Sequence, residues 1–243
     1  MEDQCILITG GSGYLGSKIG SIGNYRIINY DLKNGDDITD IEKINKIFFE
    51  NDIRYIIYLA ALSDVKSCQD DVNKSMLLNI FAPIFMLMTI ALKFSNKGYN
   101  IGFIFASTSA VYPSDNTSLE PVSETQVSGK IESVYGMTKY ITEKVIETLP
   151  KNSFIILRFF NIIGEETYSV DRLMVALSRG NVTVYGDDYP TTDGTCVRDY
   201  VYVMDCVDAI KKSIKLLEER QDNKTRQLPF CFNIGSGIPM SVK

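Results

Sequence analysis

The sequence predicts an α/β protein whose centre is a doubly wound, mostly parallel sheet. Three observations predict it: short runs that are apolar throughout, helical patterns between these runs, and a glycine-rich turn after the first of them. Strands that are apolar on both faces suit a parallel sheet with helices on each side. The predicted strands are Cys5–Thr9, Arg26–Tyr30, Tyr55–Ala60, Gly102–Ala106, Phe154–Arg158 and Phe230–Ile234, and the predicted helices are Ile38–Asn51, Asn73–Phe94 and Val134–Leu149.

The composition excludes several classes of function. The 243 residues include 25 basic and 30 acidic side chains and give a net charge of −5, which argues against a nucleic-acid partner. There is no histidine, so proton transfer must use Asp, Glu, Lys, Tyr or Cys. The five cysteines form no CxxC pair, which indicates a reduced, cytoplasmic protein without a metal site. The apolar stretch Ile80–Leu92, 13 residues long, is too short to span a membrane.

The first predicted strand leads directly into a glycine-rich turn. Gly10, Gly13 and Gly16 have the spacing of a dinucleotide phosphate loop, which also contains Tyr14 and Leu15. Without Cβ atoms, Gly10 and Gly13 can turn sharply and let backbone amides approach a pyrophosphate. Gly16 would let the next helix pack closely on the strand, and the N-terminus of that helix would favour the anion. The motif predicts a dinucleotide site on a Rossmann-type sheet.

Carboxylates after the second strand predict which dinucleotide binds. Asp31 stands at the tip of the strand, about 20 residues after the first glycine of the loop. There it can accept hydrogen bonds from both ribose hydroxyls and would repel a 2′-phosphate, which favours NAD; the alternative is a solvated turn aspartate. Asp37, beside Ile38, either contacts the adenine amine or serves the start of the next helix, where Thr39 and Asp40 are also candidate caps.

A tyrosine–lysine pair is the candidate proton-transfer group. Tyr135 and Lys139 lie four residues apart and so share one face of a helix. A nearby ammonium favours the phenolate and would lower the tyrosine pKa towards neutrality. Two other pairs, at Tyr14 and Tyr140, have the same spacing, so the spacing alone does not decide. The strand before this helix ends in hydroxyl residues, either facing a ligand crevice or merely capping the strand end.

Three motifs together resemble the extended short-chain dehydrogenase/reductase family of nucleotide-sugar enzymes. They are GGSGYLG at Gly10–Gly16, STSAVY at Ser107–Tyr112 and YGMTK at Tyr135–Lys139. The resemblance implies that Thr108 hydrogen-bonds the reacting sugar oxygen and that Tyr135 is the catalytic base and acid. Lys139 would be the electrostatic partner of Tyr135 and a ligand of the nicotinamide ribose. Further cofactor contacts are implied at Leu59, Ala60, Ala61, Asn79 and Phe160.

Later segments narrow the resemblance. Tyr185–Tyr200 contains a DYPT-DGT insertion and is similar to the branch of the family that epimerises UDP-hexoses at C4. The implied substrate contacts are Thr108, Asn161, Leu173, Tyr185 and Arg198. The guanidinium of Arg198 would bind the substrate diphosphate with its planar set of donors, unless it forms a turn pair with Asp199.

The resemblance implies reversible epimerisation at C4 through a 4-keto intermediate with bound NAD. Dehydratases of the family place an Asp-Glu pair after the threonine, but here Ser109 and Ala110 follow Thr108, so elimination would lack its acid and base. Two alternatives stay open. One is another NAD-dependent nucleotide-sugar oxidoreductase, and the other is an NAD-binding protein with little turnover.

The expected domain plan is an NAD-binding domain at 1–165, to which 195–215 contribute, and a small substrate-binding lobe at 166–194 and 216–243. Relatives continue past Lys243, so we expect this lobe to be truncated. In the family, the helices that correspond to 73–94 and 134–149 form a two-fold dimer, which implies a homodimer. The alternative is that their apolar surfaces pack only against the sheet.

Overall fold

The computed structural model describes residues 4–94, 101–113, 121–127, 130–150, 153–164, 180, 188–222 and 230–241. The strands in these ranges are β1 (Cys5–Thr9), β2 (Arg26–Tyr30), β3 (Ile53–Tyr58), β4 (Gly102–Thr108), β5 (Phe154–Phe159), β6 (Asn161–Ile163), β7 (Val197–Tyr202), β8 (Cys231–Ile234) and β9 (Pro239–Ser241). The α-helices are α1 (Ile41–Glu50), α2 (Val65–Asp70), α3 (Val72–Met76), α4 (Ala82–Phe94), α5 (Val134–Ile146) and α6 (Val203–Asp222).

The central sheet has six parallel strands in the order β2-β1-β3-β4-β5-β8. The predicted doubly wound, parallel α/β fold is therefore confirmed. The chain order reverses between β1 and β3, and ligands of such sheets bind outside the carboxyl ends of the strands at this point. A second sheet joins β6 in parallel and β9 in antiparallel orientation to β7.

Two apolar cores lie on the two faces of the central sheet. Alternate residues of β1 enter different cores, Leu7 on one face and Ile6 on the other, as the period of a strand requires. The first core is covered by α1, α4 and the end of α5. The second is covered by α6, whose buried residues include Val207, Ile210 and Ile214.

The expected boundary of the substrate lobe at 216 differs from the structure. α6 continues without a break to Asp222, and β8 is the sixth strand of the central sheet, where Leu157 of β5 pairs with Phe232. Phe232 and Ile234 pack against the core under α6, so burial of these side chains holds β8 in the sheet. Residues 231–234 therefore belong to the central sheet rather than to a substrate lobe, whereas β9 pairs with β7.

The helix expected after the glycine-rich turn is one 3₁₀ turn, Gly16–Lys18, in the described chain. Gly20 and Gly23 follow with φ angles of 60° and 50°, and glycine in this left-handed conformation ends helices. A single turn has no helix macrodipole of useful size. The expected contribution of a helix N-terminus to anion binding is therefore wrong, and the loop's own backbone must supply it.

A continuous helical segment, here called the long helix, consists of α3, a π-helical turn at Leu77–Phe81, and α4. Its part Val72–Ala91 is long and apolar enough, by length and composition, to cross a membrane, although 44% of the tested window is buried within the protein. This part is 20 residues long and overlaps the 13-residue apolar stretch Ile80–Leu92. The buried side chains of this helix include Met86 and Leu87 of the first core.

Candidate active site

The glycine-rich turn packs directly on the chain that follows β3. Gly10 has a φ of 71°, and a Cβ atom there would lie 2.8 Å from the backbone nitrogen of Ala60. A Cβ on Gly16 would lie 2.6 Å from the carbonyl oxygen of Gly10. At Gly13 the space is less tight, since a Cβ would lie 3.1 Å from the same oxygen. Gly10 and Gly16 are therefore required for steric reasons, and their lack of side chains leaves the backbone uncovered at these two positions. Tyr14 and Leu15, which lie between them in the turn, are half-buried.

The side chain of Asp31 joins the tip of β2 to this loop. Its Oδ2 accepts a hydrogen bond from the backbone nitrogen of Ser12 (2.9 Å), and its Oδ1 accepts one from that of Lys33 (2.8 Å). The ammonium of Lys33 donates to the carbonyl oxygen of Ser12 (2.9 Å). Asp31 is buried, but each carboxylate oxygen has a second lone pair for a ribose hydroxyl. Sequence reasoning missed the contact of Lys33 with the loop. The available signal was a cationic residue two positions after Asp31.

Two roles were proposed for this segment, a helix cap and a contact with adenine, and the cap is Asp40. Asp40 is the N-cap of α1 and accepts a hydrogen bond from the backbone nitrogen of Lys43 (2.9 Å). Asp37 accepts from the backbone nitrogen and the hydroxyl of Thr39, both at 2.8 Å, and these bonds lower the pKa of its carboxyl group. Ile38 packs against the first core. The adenine contact of Asp37 stays a prediction.

Asn79, a predicted cofactor ligand, is almost fully buried in the π-helical turn. Its Oδ1 accepts from the backbone nitrogen of Leu62 (2.9 Å), and its Nδ2 donates to the carbonyl oxygen of Leu62 (3.0 Å) and to the hydroxyl of Thr138 (3.2 Å). Both amide hydrogens are thus used within the protein. Asn79 fixes the Leu59–Leu62 segment, in which Ala60 and Ala61 are half-buried, and a direct contact with the cofactor stays a prediction.

The structure brings Tyr135 and Thr108, two of the predicted catalytic residues, together. The phenol of Tyr135 shares a side-chain hydrogen bond with Thr108, whose Oγ1 also accepts from the backbone nitrogen of Ala110 (3.1 Å). Gly136 allows this approach, because a Cβ on it would overlap the carbonyl oxygen of Ala110. Ser133 caps α5 through the backbone nitrogen of Gly136 (3.0 Å). The first turn of the helix therefore lies on the turn that follows β4.

Lys139 contacts a different part of the strand. Its ammonium donates to the carbonyl oxygen of Ala106 (2.8 Å) and lies 4.7 Å from the centre of the Phe105 ring. Burial lowers the pKa of Lys139 to about 8, against an opposing effect of the Glu143 carboxylate. Burial raises the pKa of Tyr135 to about 12, and the hydrogen bond from Thr108 opposes this. The expected lowering of the Tyr135 pKa by Lys139 is therefore wrong for this state of the protein: desolvation dominates.

A buried ion pair that sequence reasoning missed lies beside these residues. Arg158 of β5 binds Glu143 of α5 through two donors, Nη2 to Oε2 at 2.7 Å and Nε to Oε1 at 3.0 Å. The side chains are 2% and 0% exposed. The hydroxyl of Ser107 also donates to Oε1 of Glu143. The available signals were an arginine in an otherwise apolar strand and an acid four residues after Lys139.

The predicted substrate residues are placed only in part. Asn161 begins β6, directly after Phe160, a predicted cofactor contact whose backbone nitrogen donates to the carbonyl oxygen of Ile234 (3.0 Å). Arg198 is exposed, donates to the carbonyl oxygen of Val197 (2.8 Å), and has no acidic partner within the described ranges. The turn pair with Asp199 is not formed, because Asp199 accepts from the backbone nitrogens of Ser236 and Gly237 instead. Leu173 and Tyr185 lie outside the described residues.

Residues 6–235 match the NAD dependent epimerase/dehydratase family. The chain belongs to this family.

Curated relatives in other organisms agree with this assignment. The chain is 27% identical to the UDP-glucose 4-epimerase of Haemophilus influenzae over 98% of its own length and 80% of that protein. It is 29% identical to the UDP-glucose 4-epimerase of Rhizobium meliloti over 100% of its length and 80% of that protein. The chain therefore spans about four fifths of the length of these relatives.

Solved structures of the family have the same fold. UDP-glucose-4-epimerase from Stenotrophomonas maltophila, with bound NAD and formylated UDP-arabinopyranose, is 25% identical with a TM-score of 0.76, over 98% of this chain and 80% of that one. UDP-glucose 4-epimerase from Brucella ovis, in complex with NAD, is 26% identical with a TM-score of 0.76, over 98% of this chain and 79% of that one.

The described residues fit the cofactor of an NAD-dependent epimerase/dehydratase. The glycine turn keeps free the space that Cβ atoms at Gly10 and Gly16 would fill, at the edge of the sheet where its strand order reverses. Asp31 provides acceptor oxygens at the tip of β2. NAD is thus the cofactor of this protein, with Gly10, Gly16 and Asp31 as the residues suited to hold it.

Proposed function

We propose that this protein interconverts UDP-glucose and UDP-galactose by reversible epimerisation at C4, a step of galactose metabolism. The observation that carries the proposal is the hydrogen bond between Tyr135 and Thr108 at the carboxyl end of β4, on the sheet edge that carries the glycine turn. A hydroxyl and a phenol at this place can together hold a sugar hydroxyl beside a dinucleotide. The similarity to UDP-glucose 4-epimerases along the whole chain supports the choice of substrate.

Tyr135 performs the proton transfer in this proposal. It takes the proton of the C4 hydroxyl when the sugar is oxidised, and it returns the proton when the 4-keto group is reduced on its other face. Bound NAD would supply the hydride acceptor and donor for C4. Thr108 orients the sugar oxygen through the hydroxyl that already contacts Tyr135. The ammonium of Lys139 uses one donor on Ala106 and keeps two for the nicotinamide ribose.

The residues after Thr108 favour epimerisation over dehydration. Ser109–Val111 form a 3₁₀ turn whose N-cap is Thr108, and no carboxylate is present in this turn. Elimination across C5 and C6 needs an acid and a base at these positions, whereas oxidation and reduction at C4 need neither. Another NAD-dependent oxidoreductase activity on nucleotide sugars, or NAD binding with little turnover, are the remaining alternatives.

Incubation of the protein with UDP-galactose and catalytic amounts of NAD tests the proposal. We expect UDP-glucose to form without net production of NADH. Stoichiometric NADH or release of a keto sugar would instead show another oxidoreductase. Binding of NAD, measured by calorimetry, without conversion of UDP-galactose would show a protein that binds the cofactor and does not turn over.

We also propose that two copies of the chain form a homodimer through the long helix and α5. Thr142 of α5 donates to the carbonyl oxygen of Asn79 (2.7 Å), so the two helices lie side by side. Their outer faces carry exposed apolar side chains at helical spacing: Leu77, Phe81, Phe85 and Met88 on the long helix, and Met137 and Ile141 on α5. Two such helix pairs can bury this surface in a symmetric four-helix contact. Light scattering at micromolar concentration should give the mass of a dimer, and a monomer would refute the contact.

We further propose a cytoplasmic location. All five cysteines are free, which is typical of proteins in a reducing compartment. The buried side of the long helix packs on the central sheet, which supports a place in the protein rather than in a membrane. Fractionation of cells that produce the protein should recover it without detergent, and recovery with the membranes would refute this proposal.

A further inference from the structure

One face of α5 contacts three consecutive residues of β4. The contacting residues of the helix are spaced by four, so they lie in one row along its surface. The pairs are Tyr135 with Thr108, Lys139 with Ala106, and Glu143 with Ser107. The helix and the end of the strand are thus joined at three points, two of which carry the residues assigned to catalysis.

The third contact, between Glu143 and Ser107, is the most firmly fixed of the three. Ser107 and Arg158 are register partners on adjacent strands, and Glu143 binds both of them. Glu143 and Arg158 are buried, and the guanidinium contacts the carboxylate with two donors, which fixes the orientation of both groups. The position of Ser107 is therefore set by a group of three side chains from α5, β4 and β5.

Arg158 is also fixed from the side opposite Glu143. Its Nη1 donates to the hydroxyl of Tyr112 (3.0 Å) and to the carbonyl oxygen of Glu124 (2.8 Å). The hydroxyl of Tyr112 in turn donates to Oδ1 of Asn233 on β8 (2.6 Å). The ion pair is thereby tied to both ends of the STSAVY segment, Ser107 and Tyr112, so Glu143 has a fixed partner and little freedom to move.

We propose that Glu143, itself held by Arg158, is a positioning residue, which binds the Ser107 hydroxyl and thereby keeps Thr108 in hydrogen-bonding position against Tyr135. The proposal rests on the catalytic roles assigned above. Ser107 precedes Thr108 directly, so a shift of the strand end at Ser107 moves the Thr108 hydroxyl relative to α5. Displacement of a reacting group by about 1 Å can reduce turnover by up to about 100-fold.

A purely structural role makes a different prediction. Replacement of a buried ion pair by apolar side chains of similar volume is often neutral or stabilising, whereas removal of one partner is strongly destabilising. A pair retained for stability alone can therefore be replaced without loss of turnover. A pair that positions Ser107 cannot, because apolar side chains offer Ser107 no acceptor.

The first test compares Ser107→Ala with Ser213→Ala, a matched change at a buried serine of α6 whose hydroxyl bonds Ala209 (2.8 Å). Ser107→Ala should lower kcat for UDP-galactose by about tenfold with KM within about twofold, since an interaction made at the reacting groups is weakened. Amide hydrogen exchange should rise in peptides covering 107–112 and 134–140. Ser213→Ala should change neither. Equal kcat and equal exchange in the two variants would overturn the proposal.

The second test uses Glu143→Leu alone and the double variant Glu143→Leu/Arg158→Met. The single variant should lower the denaturation midpoint, and the double variant should recover it but keep a kcat at least about tenfold below that of the unchanged protein. Recovery of kcat together with the midpoint would refute positioning. An unchanged protein that converts no UDP-galactose would defeat the proposed function instead, and the exchange measurement on Ser107→Ala would still decide whether Glu143 holds the strand end.

Discussion

The ammonium nitrogen of Lys139 lies 2.8 Å from the carbonyl oxygen of Ala106, two residues before the threonine that binds Tyr135. The two ionisable groups of the YGMTK motif are thus bound at neighbouring positions of one strand. The cation is buried against Phe105, and no acid of the described residues is in direct contact with it. The buried charge of Lys139 lowers the free energy of unfolding but keeps a cation in the candidate site. Both effects can be measured.

Tyr135→Phe should abolish most of the activity and leave cofactor binding intact. Loss of a general acid–base group reduces turnover by about 10²–10⁴-fold, while the ring keeps its packing. Tyr140→Phe is the matched control, since Tyr140 is on the same helix and forms a similar pair with Lys144, whose ammonium lies 5.0 Å from the ring centre. Conversion of UDP-galactose and calorimetric titration with NAD measure both effects. Full activity of Tyr135→Phe would disprove the assignment of the base.

Lys139→Met should raise the free energy of unfolding at pH 7, although it removes a residue assigned to the site. The folded pKa of about 8 lies below the ordinary value of 10.5, so the unfolded chain binds the proton more tightly. The penalty is therefore complete below pH 8, about 3 kcal/mol at most, and disappears as the pH rises to 10.5. Urea denaturation at pH 7 and at pH 10 should show that the advantage of the variant shrinks with pH. An advantage that stays constant would contradict the buried charge.

The activity of the unchanged protein should fall as the pH rises through about 8, because Lys139 then loses its charge. The affinity for NAD should fall over the same range if the ammonium binds the nicotinamide ribose. Lys139→Met should have low kcat at every pH and no such descending limb. Activity that rises through pH 8 in the unchanged protein would argue against a role for the charged form.

Asp31→Asn should weaken the binding of NAD and reduce discrimination against NADP. The amide keeps one acceptor oxygen but loses the charge that repels a 2′-phosphate, and Lys33 stays close by. We expect Kd for NAD to rise about tenfold, which corresponds to about 1.4 kcal/mol. Asp40→Asn is the control, since asparagine caps a helix as well as aspartate does. Calorimetry with both dinucleotides measures the ratio, and an unchanged ratio would remove Asp31 from the ribose site.

Gly136→Ala should destabilise the protein, although alanine is a better helix former than glycine by about 1 kcal/mol. The new methyl group would overlap the carbonyl oxygen of Ala110, so the first turn of α5 must move away from Thr108. A loss of about 1–3 kcal/mol is expected for such overpacking, with a loss of activity. Lys144→Ala, at an exposed position later in the same helix whose ion pair with Glu147 is on the surface, should leave both nearly unchanged. A stabilised Gly136→Ala variant would show that the helix does not press on this turn.

The central strands could be predicted because burial on both faces makes them apolar throughout: the predicted runs Tyr55–Ala60 and Phe154–Arg158 correspond to the strands Ile53–Tyr58 and Phe154–Phe159. The glycine turn was also accessible in part, since Gly16 is required by its contact with nearby Gly10, whereas the contact of Gly10 with Ala60 joins distant parts of the chain. The helix after the loop was mispredicted because the motif implied it, while Gly20 and Gly23, which end it, were not weighed.

The electrostatic part of the site could not be predicted from spacing. The spacing of four between Tyr135 and Lys139 places them on one helix face but does not specify which group across the interface each of them meets. Only the packing of α5 on β4 gives Lys139 a carbonyl partner and Tyr135 a hydroxyl partner. The Glu143–Arg158 pair joins residues 15 positions apart from different elements, so no local pattern reveals it.

The π-helical turn Leu77–Phe81 contains one residue more than an α-helical turn would use. On the inner side of this turn, Asn79 accepts a hydrogen bond from the backbone nitrogen of Leu62, at the end of the Leu59–Leu62 segment. On its outer side, Leu77 and Phe81 are exposed. Loss of one residue here would rotate everything from Ala82 onward by about 100° about the helix axis. Phe85 would then no longer continue the line begun by Leu77. The residue count of a single turn therefore couples the geometry of the candidate active site to that of the proposed dimer contact.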